Sequence, residues 1–373
     1  MPIKFVSDKT TLLDLISPAQ YATSNKSTLP ALEGLLFRLE GSELSVSGYD
    51  LEKGISSSAL VRGIEDGGVV LNSNKIAGII KTLSDGDISI DCDEKNVVTI
   101  TAGQSEFTIH GIDASVFPAM PEFAGENKIK IKEKLLRELI VSTNHAVATT
   151  DTRPIFMGEL FKVQNGNLTV VSADNRRLAL REVKNCVTSE SDEYMFIVPG
   201  KTLSDLARLI GDTDDIVTIE FTRKYIIFKC GDIVMFSRLL EGEFLDYKKV
   251  IPEEGKTFVK VNRLTFIESI ERASLLIDEK IQSPLRFNFS GDNLNISCST
   301  QYGRVSDSFK ISLEGEDIEI GFNNKYVLDA LRATKDDEVM LTLFSPLMSM
   351  LITPVEEKED SKYLYLVLPM RLN

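Results

Sequence analysis

The sequence predicts an α+β fold of three repeated units, each with two helices on antiparallel sheets, and three observations lead there. The chain has 373 residues, 43% of them hydrophobic, which exceeds what one core usually holds. One order of features, helix, strands, helix, strands, recurs three times along it. A short lysine-bearing signature returns at Lys75, Lys201 and Lys325, at intervals of 126 and 124 residues, or about one third of the chain.

Each unit opens on a stretch with apolar residues at three- and four-residue steps: DKTTLLDLISPAQYA from Asp8, KEKLLRELIVSTNHAV from Lys132 and NRLTFIESIERASLLIDEK from Asn262. That spacing predicts a helix burying one stripe. Alternating strands separated by polar and glycine turns follow, as in LPALEGLLFRLEGSELSVSGYDLEKGI from Leu29, and predict strand, turn, strand, turn, strand. A second helix comes next, in SNKIAGIIKTLSD, PGKTLSDLARLIGD and NNKYVLDALRATKD. Hairpins rich in β-branched and aromatic residues close each unit, for about eight strands per unit. Proline and glycine interrupt both periodicities at 117–128 and 249–256, so the expected domains are 1–125, 126–254 and 255–373.

Composition excludes several function classes. The formal net charge is −14, which suits a soluble, self-repelling surface and obliges any nucleic-acid contact to concentrate its positive charge locally. No uncharged apolar run is long enough to span a bilayer, and Met1 to Thr10 lacks a secretory pattern, so a cytoplasmic protein without membrane contact is expected. Cys92, Cys186, Cys230 and Cys298 lie far apart in β-like stretches, and read as reduced core residues. His110 and His145 are the two histidines, too few for a histidine-rich metal site, and no cofactor or metal is expected. The acidic run Asp91, Cys92, Asp93, Glu94 is the best enzyme-like feature, yet Lys95 and Asn96 after it predict a hairpin turn. No phosphate loop, dinucleotide fingerprint or nucleophile elbow occurs.

Short motifs give the repeats a family. The C-terminal Pro369, Met370, Arg371 and Leu372 resemble the end signature of bacterial DNA polymerase III beta subunits, the beta sliding clamps. Ala173, Asp174, Asn175, Arg176, Arg177 and Leu178 resemble that family's Thr-Asp-Gly-His-Arg-Leu turn, with Asn175 and Arg176 replacing Gly-His. Phe244, Leu245, Asp246 and Tyr247 resemble its Phe-Pro-Asp-Tyr element, with Leu245 replacing proline. Lys26, Ser27, Thr28, Leu29 and Pro30 echo an Arg-Pro-Thr-Leu-Pro segment, with Lys26 replacing arginine, and Thr152 and Arg153 a Val-Arg segment. With length and repeats, the resemblance covers the whole chain.

The resemblance implies a head-to-tail ring dimer of clamp-type domains encircling double-stranded DNA, without catalysis of its own. Two copies would supply twelve helices; at roughly 10 Å spacing these close a channel of about 28 Å, wider than a duplex of roughly 20 Å. Contacts inside would be electrostatic and sequence-independent. The second helices carry formal charges of +2, +1 and +2 inside an acidic chain. Candidate DNA-facing residues are Lys26, Lys75, Lys81, Arg153, Lys201, Arg208, Lys325 and Arg332, Lys26 and Arg153 by resemblance, and each is equally readable as a solvated surface charge.

The resemblance also implies a hydrophobic pocket for short peptides of the polymerase III catalytic subunit, the clamp loader complex and other clamp-motif proteins. Its matched positions are Phe156, Ala173, Asn175, Arg176, Arg177, Leu178, Leu245, Lys249, Val250, Leu366, Leu368, Pro369, Met370, Arg371 and Leu372. Apolar walls would take Leu or Phe anchors, with Met370 repacking between partners; Leu366 and Leu368 read equally as strand core. Phe107, Ile109, Leu275 and Leu276 are the implied homodimer contacts. A rival reading is a non-ring adaptor of three peptide-binding α+β modules, which the acidity also suits.

Overall fold

The computed structural model describes residues 2–24, 26–121, 125–150, 152–277 and 283–372. Six α-helices are described: α1 Lys9–Gln20, α2 Ser73–Thr82, α3 Glu133–Thr143, α4 Gly200–Leu209, α5 Arg263–Ser274 and α6 Asn324–Arg332. Four of them start on a side-chain cap. Asp8 accepts from the Thr11 N–H at 2.9 Å, Asn72 from Lys75 at 3.1 Å, Asn262 from Thr265 at 3.0 Å and Asn323 from Lys325 at 3.0 Å. Each satisfies an amide that the first helical turn leaves without a partner.

By its contacts the chain forms two compact units, Met1–Lys134 with Arg208–Leu239, and Leu135–Ala207 with Leu240–Asn373. The middle third is shared between them because its strands extend two different sheets. Strand Ile233–Arg238 pairs with Lys53–Leu60 in the first unit, and Arg177–Val183 with Ser361–Val367 in the second.

The first unit holds a five-stranded antiparallel sheet in the order Arg62–Glu65, Ile3–Asp8, Asp87–Cys92, Val97–Ala102, Ser105–His110. Leu12, Leu15 and Ile16 of α1 and Ile76, Ala77 and Ile80 of α2 are buried between this sheet and the inner faces of Gly34–Glu40, Glu43–Tyr49 and Gly67–Asn72. In Asp87–Cys92 the side chains of Ile88 and Ile90 are buried while those of Ser89 and Asp91 are not, the two-residue period already visible in the sequence.

In the second unit a nine-stranded sheet runs Glu193–Pro199, Gly158–Gln164, Asn167–Ala173, Arg177–Val183, Ser361–Val367, Met350–Pro354, Glu338–Leu343, Thr257–Asn262, Ser312–Gly315. A four-stranded sheet runs Gly303–Lys310, Asn293–Thr300, Leu285–Ser290, Ile318–Phe322. Phe266 and Ile270 of α5 and Val327 and Leu331 of α6 join Phe287, Phe289 and Phe322 in one core.

Three expectations need correction. The third opening helix was expected to reach Lys280, but α5 ends at Ser274, whose hydroxyl donates back to the Ile270 carbonyl at 2.6 Å while Ile277 N–H closes a turn on Ser274 at 2.9 Å. Asp278, Glu279 and Lys280 lie outside the described residues. Cys186 is not in a strand; it lies half-buried in the loop between Arg177–Val183 and Thr188–Ser189. Among the described residues the thirds of the chain hold ten, nine and nine strands rather than about eight, since pairs as short as Ile112–Asp113 join the sheets.

Candidate functional site

The turn between Asn167–Ala173 and Arg177–Val183 is folded by its own carboxylate. Asp174 Oδ1 accepts the backbone N–H groups of Arg176 and Arg177 at 2.7 and 3.0 Å, an Asx turn made from the second residue of the motif. The Arg177 guanidinium is then held from three sides: Asp174 at 3.1 Å, Asp329 on α6 at 2.6 Å, and the Tyr326 ring with its centroid at 4.5 Å. A planar fork with two carboxylates and an aromatic face is a geometry lysine cannot reproduce.

Beside this turn the sheet presents an apolar face. Ala173 opposes Leu178, Leu178 opposes Leu366, and Leu366 opposes Leu351, so four side chains form one cross-strand row. Phe156, Leu160 and Phe344 are among the other buried side chains of this cluster, and Phe244, Leu245 and Leu368 pack on it half-buried. The structure thus brings Phe156, Ala173, Leu178, Leu245, Leu366 and Leu368 into one cluster. Phe344, Leu351, Leu160, Tyr326 and Asp329 were missed by sequence reasoning, because only strand register and the approach of α6 put them there.

Arg153, placed with the DNA-facing group by resemblance, is exposed beside this cluster. Its guanidinium sits 4.2 Å from the Phe156 ring centroid and donates to Asn175 Oδ1 at 3.0 Å. Asn175, one of the departures from the family turn, therefore positions it. Arg176 is exposed, and its carbonyl accepts from Leu368 N–H at 2.8 Å, tying the turn to the C-terminal segment. Lys249 and Val250 are exposed at the end of a short 3-10 turn, Lys249 paired with Asp246 at 2.9 Å.

After Val367 the chain crosses to the four-stranded sheet. Met370 N–H donates to the Gly321 carbonyl at 2.8 Å. A Cβ on Gly321 would meet the Met370 oxygen at 2.6 Å and a Leu372 methyl at 2.7 Å, so glycine is what lets the tail lie against that strand. Pro369, Met370 and Leu372 are half-buried and Arg371 is exposed.

Lys26, Lys75, Lys81, Lys201 and Lys325 are exposed, and among the described residues none of them makes an ion pair. Arg332 pairs with Glu271 at 2.5 Å, and Arg208 lies 5.7 Å from the Tyr21 ring centroid. Lys75, Lys201 and Lys325 all fall in the first turn of their helices, and none of α2, α4 or α6 has an acid there. The helix dipole disfavours a cation at that end, so local helix electrostatics do not account for the repeated lysine.

Phe107 and Ile109 are on Ser105–His110, the edge strand of the five-stranded sheet, Phe107 being 37% exposed. Leu275 is 83% exposed directly after α5 and Leu276 is half-buried. Asp93 folds the expected hairpin turn, accepting the N–H groups of Lys95 and Val97 at 2.8 Å each. Burial pushes the Cys230 thiol up to about 12 and those of Cys92 and Cys186 up to about 11, which keeps all three protonated. Among the described residues no three His, Cys, Asp or Glu side chains are grouped to hold a metal ion.

Comparison with known proteins covers the chain from end to end. The models of the N-terminal, central and C-terminal domains of the DNA polymerase III beta subunit match residues 3–121, 130–246 and 248–371. The beta sliding clamp of Bacillus subtilis is 31% identical, over 99% of this chain and 100% of the relative, and that of Staphylococcus epidermidis is 30% identical, over 99% of each. The crystal structure of the Bacillus subtilis sliding clamp superposes with a TM-score of 0.93 at 29% identity over all of both chains. A Pseudomonas aeruginosa clamp bound to griselimycin gives 0.91 at 30% identity, again over all of both chains. Three consecutive domain matches in family order, on relatives matched over their full length, establish that the chain belongs to the DNA polymerase III beta-subunit family, the beta sliding clamps.

Proposed function

We propose that two copies of this chain close head to tail into a ring around double-stranded DNA and tether polymerase and other DNA-processing proteins through the apolar site beside Asp174–Arg177. The domains that repeat would divide near residues 125 and 254. The observation that carries the DNA contact is the exposed lysine in the first turn of each second helix, Lys75, Lys201 and Lys325. Three cations at equivalent places, each against its own helix dipole, fit a phosphate backbone opposite them. Lys26, Lys81, Arg208 and Arg332 would add to the same surface.

Closure would use two open sheet edges, Ser105–His110 in one unit and Gly303–Lys310 in the other. Unpaired edges invite pairing with another chain, and Leu275, 83% exposed, would be covered by it together with Phe107, Ile109 and Leu276. Head-to-tail contacts that close by rotation make rings. The site beside Asp174–Arg177 has the apolar floor a promiscuous peptide pocket needs, and a soft Met370 would serve at its margin. The polymerase III catalytic subunit and a clamp loader complex would bind there, the loader supplying the ATP hydrolysis for which this chain has no motif, in the cytoplasm.

The deciding experiment is topological. Protein loaded on a nicked circular plasmid should stay with it through gel filtration and leave once the plasmid is linearised. Equal retention on circular and linear DNA would mean the protein grips rather than encloses.

A further inference from the structure

Two consecutive side chains at the end of α1 reach two other helices. The Gln20 amide donates to the Ser73 hydroxyl at 3.2 Å and to the Ser73 carbonyl at 3.3 Å, at the first residue of α2 and two residues before Lys75. Tyr21, which follows α1 and is 37% exposed, lies beneath the guanidinium of Arg208 in the last turn of α4, with 5.7 Å from its ring centroid to Arg208 Cζ. Lys26 comes five residues further along the chain. Three of the candidate DNA-facing cations therefore depend on the end of one helix: Lys75 through the start of α2, Arg208 through the Tyr21 ring, and Lys26 through the chain itself.

Arg208 is exposed and stands seven residues after Lys201 on α4, the same interval that separates Lys325 from Arg332 on α6. Seven residues are nearly two turns, so each pair shares one face of its helix with about 10 Å between its members. The two arginines are held differently. Arg332 donates to the Glu271 carboxylate at 2.5 Å, a partner that offsets its charge. The face of a neutral ring attracts a guanidinium and restrains its long side chain without offsetting the charge. An arginine that meets a phosphate from free solution must give up its rotamer freedom to do so, and restraint in advance lowers that cost. The negative end of the α1 dipole also favours a cation at this place, which would hold Arg208 there without giving Tyr21 a part.

We propose that Tyr21 is a positioning residue for the DNA contact, its ring holding the Arg208 guanidinium ready for a backbone phosphate of the enclosed duplex. The proposal rests on the ring reading above, which turns the second helices toward the DNA.

Fluorescence anisotropy of the full chain with a short labelled duplex at low salt reads the contact without any need for loading. Tyr21→Ala should weaken binding roughly two- to five-fold, as loss of an exposed cation–π contact would. Tyr21→Leu, which keeps apolar bulk without a ring face, should do the same, and Tyr21→Phe should keep the wild-type affinity. Arg208→Ala should lower the salt slope by roughly one. Once Arg208 is alanine, Tyr21→Ala should weaken binding no further, a result that a tyrosine serving only the packing of α1 would not give. Unaltered melting temperatures show that the variants are folded. Full affinity in Tyr21→Ala, as the dipole alone would allow, or losses that add in the double variant, would overturn the proposal. The plasmid assay keeps this test apart from that of the ring. Coupled losses in a chain held equally by circular and linear plasmid would keep the pair and sink the ring, while independent losses in a chain that runs off linear ends would sink the pair alone.

Discussion

Glu159 is fully buried on strand Gly158–Gln164, directly opposite Val198 and against Thr143 at the end of α3. The single Thr143 hydroxyl proton is within reach of both the Leu139 carbonyl, at 2.8 Å, and the Glu159 carboxyl. Burial outweighs that hydrogen bond, which favours the charged form, and raises the Glu159 pKa to about 8. Because the folded state holds a proton that an unfolded carboxyl releases near its ordinary value, stability is full below that value and falls as pH rises toward 8. His145 works the other limb: burial first, and then the charge of Arg177, lower it to about 4. Its contribution is present above the ordinary histidine range and is lost as pH falls from there toward 4. Thermal melts from pH 4 to 9 should therefore show a maximum between, and Glu159→Gln should flatten the alkaline limb, stabilising the chain at pH 8 by on the order of a few kcal/mol. An unchanged alkaline limb in that variant would remove the neutral carboxyl from the account.

The turn and the helix it is tied to form the next level. Arg177 joins Asp174–Arg177 to α6, with its own side chain only 11% exposed and that of Asp329 22%. Arg177→Ala would leave two largely buried carboxylates facing each other's field, a change expected to cost about 3 kcal/mol. Peptide affinity should fall at least ten-fold with it, and Arg177→Lys should recover little of either. Gly321→Val acts through the tail instead, because a side chain there meets Met370 and Leu372 within 2.7 Å. It should weaken the same peptide comparably, as should deletion of Met370 to Asn373, with the fold retained by circular dichroism. Peptide affinity unaffected by either change would detach the C-terminal segment from the pocket.

At the scale of the assembly, Leu275 and Leu276 replaced by lysine should yield monomers in sedimentation that no longer stay on circular DNA. An intact dimer would move the interface elsewhere. Reversing Lys75, Lys201 and Lys325 together should reduce the salt slope of DNA retention by roughly one per lost phosphate contact, without changing peptide binding. An unaltered slope would return those lysines to ordinary surface charge. An isolated-chain ATPase assay is expected to read blank.

The threefold order of helices and strands, the family and the residues of the turn were all legible before any fold was known. Those features are written in local periodicity and in short contiguous motifs, where neighbours in the chain are neighbours in space. The turns themselves were legible too, one from Lys95 and Asn96 after the acidic run and the other from its likeness to the family's turn, while the structure adds that Asp93 and Asp174 fold them by accepting backbone amides. It took the packed molecule to show that Phe344 and Leu351 belong with Leu178 and Leu366, and that Arg153 sits on Phe156 through Asn175. Each depends on strand register or on helix approach between residues far apart in the chain, and an alternating pattern reports which face a residue takes without naming the strand that will lie beside it.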